Sequence, residues 1–383
     1  MTTIFPINEF RKQETPFYYY DTTLLENTFK EIKQCIDGYP FKVHYAVKAN
    51  ANPKILSIIK NSGFGIDCVS GGELKASLDA GFNNDYIVFA GVAKTDKEII
   101  AGLDANIMCF NVESKNELEV INDLAKLKGK TANIAIRVNP NIDAHTHHYI
   151  TTGLSENKFG IDLALLDNII KYALQLKNIN LCGLHFHIGS QILSLEPFEM
   201  LCKKINELQE RMIKLGAKIS IINVGGGLGI DYDNPDDNLI PPFKAYFDTF
   251  KKHLVLRNGQ QLHFELGRAI VAQCGTLITQ VIYVKEGVNK KFVMVDAGMT
   301  DLLRPALYQA HHKIENITST EKETDIYDVV GPICETSDSF GSNETLPITK
   351  RGDLIALRSA GAYGEVMASQ YNCRKLPSSL FKP

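Results

Sequence analysis

No run of 18 apolar residues occurs in the chain, so no membrane-spanning helix is expected. The opening MTTIFPINEFRKQE lacks the apolar stretch of a secretory signal, and the expectation is a protein that stays in the cytoplasm. The eight cysteines, at 35, 68, 109, 182, 202, 274, 334 and 373, include no C-x-x-C pair. That spacing argues against a disulfide framework or a structural zinc site and for reduced thiols. Excess charge of either sign is missing as well. Lys+Arg 41 against Asp+Glu 44 leave a net charge of -3, with no basic stripe and no block of like charge, so no nucleic-acid partner is expected. Also missing are a Walker loop, a nucleophile elbow and a zinc-protease helix motif. What remains is ordinary globular usage, 44% hydrophobic over 383 residues. A single core stops growing at roughly 250–300 residues, so one large domain and one smaller one are expected.

The apolar runs alternate with helical stretches eight times. FKVHYAVK (41–48), GIDCVS (65–70), IVFAG (87–91), IMCFN (107–111), NIAIRVN (133–139), LCGLHFHI (181–188), ISIINVGG (219–226) and QLHFELG (261–267) are short, β-rich and bounded by Gly, Asn or Asp. Amphipathic segments separate them, which is the signature of repeated βα units with strands buried on both faces. The spacing predicts an α/β (β/α)8 TIM-like barrel over residues 24–270. After residue 270 the helical period disappears, and 271–383 reads as an all-β, Greek-key-like barrel domain. The strand-like TPFYYYD (15–21) precedes the first barrel helix, so residues 1–23 are expected to join the β domain.

Barrel chemistry sits at the carboxyl ends of the strands. Those positions hold Lys48, Asp67, Arg137 with Asn139, His185-Phe186-His187, Gly225-Gly226-Gly227, and Glu265 with Arg268 just beyond. Lys48 is either a lysine snorkelling from a strand end or one desolvated enough to form a Schiff base. The glycines of GGGLG are a tight turn or a backbone cradle for an anion, and Ile230 breaks any dinucleotide fingerprint. His185 and His187 face one side of a strand. They read as a metal pair, with His145, His147 and His148 as further ligands, or as one imidazole against a flat ligand and one in the core. Glu265 interrupts an apolar run, so it either pairs with Arg268 or holds a ring nitrogen protonated. An amine, a phosphate cradle, a histidine and such a carboxylate together ask for pyridoxal 5'-phosphate and no metal.

Six motifs in order, HYAVKAN (44–50), GLHFHIGSQI (183–192), NVGGGLGIDY (223–232), FELGRA (264–269), GPICET (331–336) and GAYGEVMASQYNCR (361–374), resemble the barrel-type pyridoxal-phosphate decarboxylases from end to end. Within that family the likeness is to the branch acting on meso-diaminopimelate, whose product is L-lysine. The resemblance implies Lys48 as the lysine carrying the cofactor, His187 against its ring and Glu265 on its ring nitrogen. Ser190, Gly225, Gly226, Gly227 and the turn Leu266-Gly267-Arg268 would hold the phosphate. Arg268, Arg304 and Tyr308 would bind substrate carboxylate, Glu335 would lie near the distal amine, and Tyr363 would touch both cofactor and substrate. Cys334 would return the proton. It also implies a homodimer in which Cys334 and Glu335 reach in from the other subunit. One departure is Thr336 after Cys-Glu, where serine is common; the hydroxyl is kept.

The rivals are related decarboxylases of ornithine, arginine or carboxynorspermidine, a barrel racemase, a metal-dependent barrel hydrolase, and a regulator that has lost its chemistry. Ornithine and arginine decarboxylases usually have Asp after the cysteine where this chain has Glu335. A racemase sets a cation at the ring nitrogen where this chain has Glu265. A lapsed enzyme would have lost Lys48 or Cys334, and both are present.

Overall fold

The computed structural model describes residues 5–142 and 158–382. β1 (Phe17–Tyr20) leads into the helix Thr22–Ile36. The alternation anticipated from the sequence follows as β2 (Phe41–Ala46), β3 (Gly65–Cys68), β4 (Ile87–Phe89), β5 (Cys109–Val112), β6 (Ala132–Asn139), the short β7 (Ile161–Asp162), β8 (Ile179–His185), β9 (Ile221–Asn223) and β10 (Gln261–Leu266). The pairing order β5-β4-β3-β2-β10-β9-β8-β6, closed by β5 on β6, makes an eight-stranded parallel barrel, and β7 pairs with the last two residues of β6. Four helix starts carry their own signal. Asn52, Ser70, Thr95 and Ser114 accept hydrogen bonds from the first turns of the helices Pro53–Ser62, Gly71–Asp79, Asp96–Ala105 and Lys115–Leu127, and Thr95 with Glu98 forms a full capping box.

β10 shows how the barrel wall divides. Its outward Phe264 packs edge-on against Phe247 and Phe250 of the helix Phe243–His253, with ring centroids 4.9 and 5.1 Å away. Each such ring taken from water stabilises the fold by about 1.5–3 kcal/mol. The intervening His263 and Glu265 point inward, where His263 Nδ1 meets His44 Nε2 at 2.9 Å and Glu265 gathers three polar partners. The period of two thus places apolar packing outside and polar chemistry inside.

The chain divides into two compact units. One is Phe29–Gly229 with Pro242–Gly267, the barrel; the other is Met1–Thr28, Ile230–Pro241 and Arg268–Pro383. In the second, β11 (Gly275–Glu286) is the organising strand, followed by β12 (Lys291–Val295), β13 (Ile314–Asn316), β14 (Thr324–Val330), β15 (Ser339–Pro347), β16 (Leu354–Leu357) and β17 (Ser378–Phe381). The order β13-β16-β11-β12-β14-β15 forms a mixed sheet, and β1 joins it by pairing antiparallel to β11 and parallel to β17. Phe10, Phe17, Tyr19, Ile278, Leu354 and Ala356 form its core. The apolar rhythm assigned Ile230–Pro241 to the barrel, whereas this excursion packs with the β-rich unit. Its anchors are polar: Arg358 pairs with Asp236 at 2.8 Å, and Arg268 donates to the Tyr232 hydroxyl at 2.6 Å. Among the described residues no helix is long and apolar enough to cross a membrane.

Candidate active site

Glu265 ends β10 inside the barrel and is 7% exposed. Its Oε1 accepts from the side-chain amides of Asn111 at 3.0 Å and Asn223 at 2.7 Å, and its Oε2 accepts from His185 Nε2 at 3.0 Å. These donors come from the ends of β5, β9 and β8. Burial by itself would raise the carboxyl, but the adjacent His185 imidazole and the hydrogen bonds that it and the Asn223 amide donate outweigh it and hold Glu265 well below the usual carboxylate range. The centre of the barrel mouth therefore carries a fixed negative charge. Asp67, buried at the end of β3, behaves oppositely: burial first, then the charge of Glu265, pushes it far up.

Lys48, expected to close the first strand, lies two residues past its end. β2 stops at Ala46, and Lys48 sits half-buried on the short 3-10 turn Val47–Ala49. Its ammonium opposes the rise of Asp67 and, after burial, is the next cause that pushes His187 well below an ordinary imidazole. His187 is accordingly neutral, and its Nδ1 accepts the Gly226 N–H at 3.3 Å, which leaves the proton on Nε2. The glycine turn is packed too closely for any side chain. A Cβ on Gly225 would lie 2.7 Å from His187 Nδ1, and one on Gly226 would overlap the carbonyl oxygen of Glu265. Ser190 is half-buried just before Gln191, which adopts a left-handed φ of 60°. An ionised carboxylate, an amine on the turn after β2, a neutral imidazole and a glycine turn packed against that imidazole form a donor set that fits pyridoxal phosphate.

In the β-rich unit Arg268 and Arg304 converge on Tyr232, and Tyr363 and Tyr308 lie on the Arg268 side. Arg268 and Arg304 are 6% and 5% exposed. The Arg268 Cζ lies 5.0 Å from the Tyr363 ring centroid, with Tyr308 near Arg268 as well. Tyr363 and Gln309 hold left-handed φ values of 57° and 53°, conformations that a bulky residue adopts only where surrounding contacts impose them. Cys334 and Glu335 occupy an exposed loop between β14 and β15. The Asp338 carboxylate shapes that loop by accepting from the N–H groups of Ile333 at 2.6 Å and Met299 at 2.5 Å, while Tyr371 donates to Glu335 at 2.8 Å.

Sequence reasoning passed over Asn111, Asn223 and Tyr232 and left His185 undecided between metal and core. The signal for the asparagines was a polar residue closing an otherwise apolar run. The metal reading of His185 and His187 fares poorly, because His185 Nε2 is engaged by Glu265 and His187 Nδ1 by Gly226. Among the described residues no group of three or more His, Cys, Asp or Glu could hold a metal ion, and His145, His147 and His148 lie outside those residues.

The family model for the pyridoxal-dependent decarboxylase, pyridoxal binding domain, matches residues 23–272. The diaminopimelate decarboxylase of Bacteroides thetaiotaomicron is 60% identical over 378 residues, covering 98% of each chain. The crystal structure of diaminopimelate decarboxylase from Helicobacter pylori complexed with L-lysine superposes with a TM-score of 0.93 at 42% identity, covering 98% of this chain and 94% of that one. An arginine decarboxylase from Paramecium bursaria Chlorella virus, 22% identical, shares the fold with a TM-score of 0.87 over 98% of this chain and 99% of its own.

Proposed function

The chain belongs to the pyridoxal-dependent decarboxylases, and from that premise we propose that it removes carbon dioxide from meso-2,6-diaminopimelate to give L-lysine. Bound pyridoxal phosphate supplies an electron sink for the pair left behind by the departing carboxylate. The protein's residues supply everything around it. Lys48 would carry the cofactor on its Nζ and His187 would lie against the ring. Ser190, the Gly225–Gly227 turn and Leu266-Gly267-Arg268 would hold its phosphate. Glu265, kept ionised by its three donors, keeps the ring nitrogen protonated. Arg268, Arg304 and Tyr308 hold substrate carboxylate, and Tyr363 orients cofactor and substrate together. The protein would act as a cytoplasmic homodimer, with the exposed Cys334 supplying the returning proton to the partner subunit's site and Glu335 meeting the distal amine.

The observation that carries the substrate assignment is the pair of buried guanidiniums, Arg268 and Arg304. Two buried planar donors suit a distal carboxylate that is not the one lost, and lysine, ornithine or arginine, whose only carboxylate is the departing one, would leave them unmatched. The test is carbon dioxide release by the purified holoenzyme offered meso-diaminopimelate, lysine, ornithine or arginine. We expect meso-diaminopimelate to be preferred by about 10⁴-fold in kcat/KM. Comparable turnover of ornithine or arginine would place the chain with the related decarboxylases and overturn the assignment.

A further inference from the structure

Tyr232 has no part in the roles assigned above, yet it is the meeting point of the arginine cluster. Arg268 Nη1 donates to its hydroxyl at 2.6 Å, and the Arg304 Cζ lies 5.0 Å from its ring centroid. Two guanidiniums this close repel each other, and the electron-rich oxygen and ring face of the phenol offset that repulsion. The far side of Arg304 is held too. Its Nη1 donates to His312 Nε2 at 2.8 Å, and His312 Nδ1 donates to the Arg358 carbonyl at 2.8 Å. That pair of bonds requires a neutral imidazole with its proton on Nδ1, and the ring meets Tyr232 edge-on at 5.1 Å.

We infer that Tyr232 is a positioning residue for carboxylate recognition: its hydroxyl holds Arg268 and its ring face holds Arg304, which sets the spacing and tilt of the two guanidiniums, with His312 bracing Arg304 from behind. The inference rests on the carboxylate reading of the arginine pair. It has a consequence in pH. Burial opposes ionisation of the Tyr232 phenol, but the charges of Arg268 and Arg304 outweigh it and lower the group below the usual tyrosine range. The other groups facing the cluster are Tyr308, Tyr363 and His312, with His311 paired to Asp233 at 3.4 Å and Asp231 on Tyr232's own segment. Once ionised, the phenolate cancels one guanidinium and a carboxylate ligand loses its counter-charge.

Pimelate tests this, because it is a dicarboxylate without amines and so does not itself titrate between pH about 7 and 10. Its inhibition constant against the holoenzyme is measured across that range for wild type and Tyr232→Phe. Wild-type inhibition should weaken as pH climbs toward the tyrosine range of about 10. The variant should bind pimelate about ten-fold or more weakly at neutral pH and show a flat profile. A flat wild-type profile, or a Tyr232→Phe variant with unchanged affinity and slope, overturns the inference alone. Failure of pimelate to inhibit the wild type overturns the carboxylate reading and this inference with it.

Discussion

Replacing Glu265 by glutamine separates charge from shape at the barrel centre. The amide oxygen can keep accepting from Asn111 and Asn223, which are 3.0 and 2.7 Å from Oε1. The amide nitrogen then faces His185 Nε2, donor against donor. His185 resolves this by moving its proton to Nδ1, a buried atom with no hydrogen-bond partner among the described residues. The fold should therefore survive, at a cost of about 1–3 kcal/mol for the unmade bond. What disappears is an ion pair to the protonated ring nitrogen. At about 4 Å and an effective dielectric near 20 that pair is worth about 4 kcal/mol, or about a thousand-fold in rate. We expect kcat to fall by about 10²–10³ with KM and cofactor content nearly unchanged, measured as carbon dioxide release at saturating substrate and cofactor. Glu265 is held below its ordinary value, so the deficit should be the same from pH about 6 to 9. The sign for stability follows from the same shift. A depressed carboxyl stabilises the fold above its unfolded value, about 4.3, and that contribution is lost as pH falls through the folded value. The stability gap between wild type and variant should therefore narrow in acid. Turnover within about ten-fold of wild type would refute the electron-sink role of Glu265.

Gly226→Ala should lose most of its bound cofactor on dialysis, because the new methyl overlaps the Glu265 carbonyl and the turn must move. Full retention, read from cofactor absorbance, would mean the turn is not a close-fitting cradle. Lys48→Ala and Cys334→Ala should each be nearly inactive, and mixing them with proven subunit exchange should restore about a quarter of wild-type activity. Random pairing makes half the dimers mixed, and each of those has one undamaged site under two-fold symmetry. Exchange without recovery would mean that lysine and cysteine serve from one chain.

The barrel was legible because parallel strands buried on both faces must be written as continuous apolar runs, and each ends at a residue that stops them. Lys48 and Glu265 stood out because each breaks such a run with a charge. The β-rich unit was less legible. β15, with the sequence SFGSNETLP, buries only Phe340 and Leu346, and β13 and β17 are three and four residues long, so apolar spacing says little about them. Their strand character comes from the ladders of neighbours far along the chain.

The sequence by itself determined the βα rhythm, the separate β-rich portion and the identity of the chemistry-bearing residues, because burial and charge leave local marks. Only tertiary structure decided what those residues do to one another. Asn111, His185 and Asn223 lie on three different strands, and closure of the barrel is what turns them into the donors that keep Glu265 ionised. Tyr232 follows the glycine turn in the chain by five residues, yet it packs with Arg268 and Arg304. Hydrogen bonding and desolvation depend on distances through space, and a linear order of residues does not contain those distances until the chain has folded.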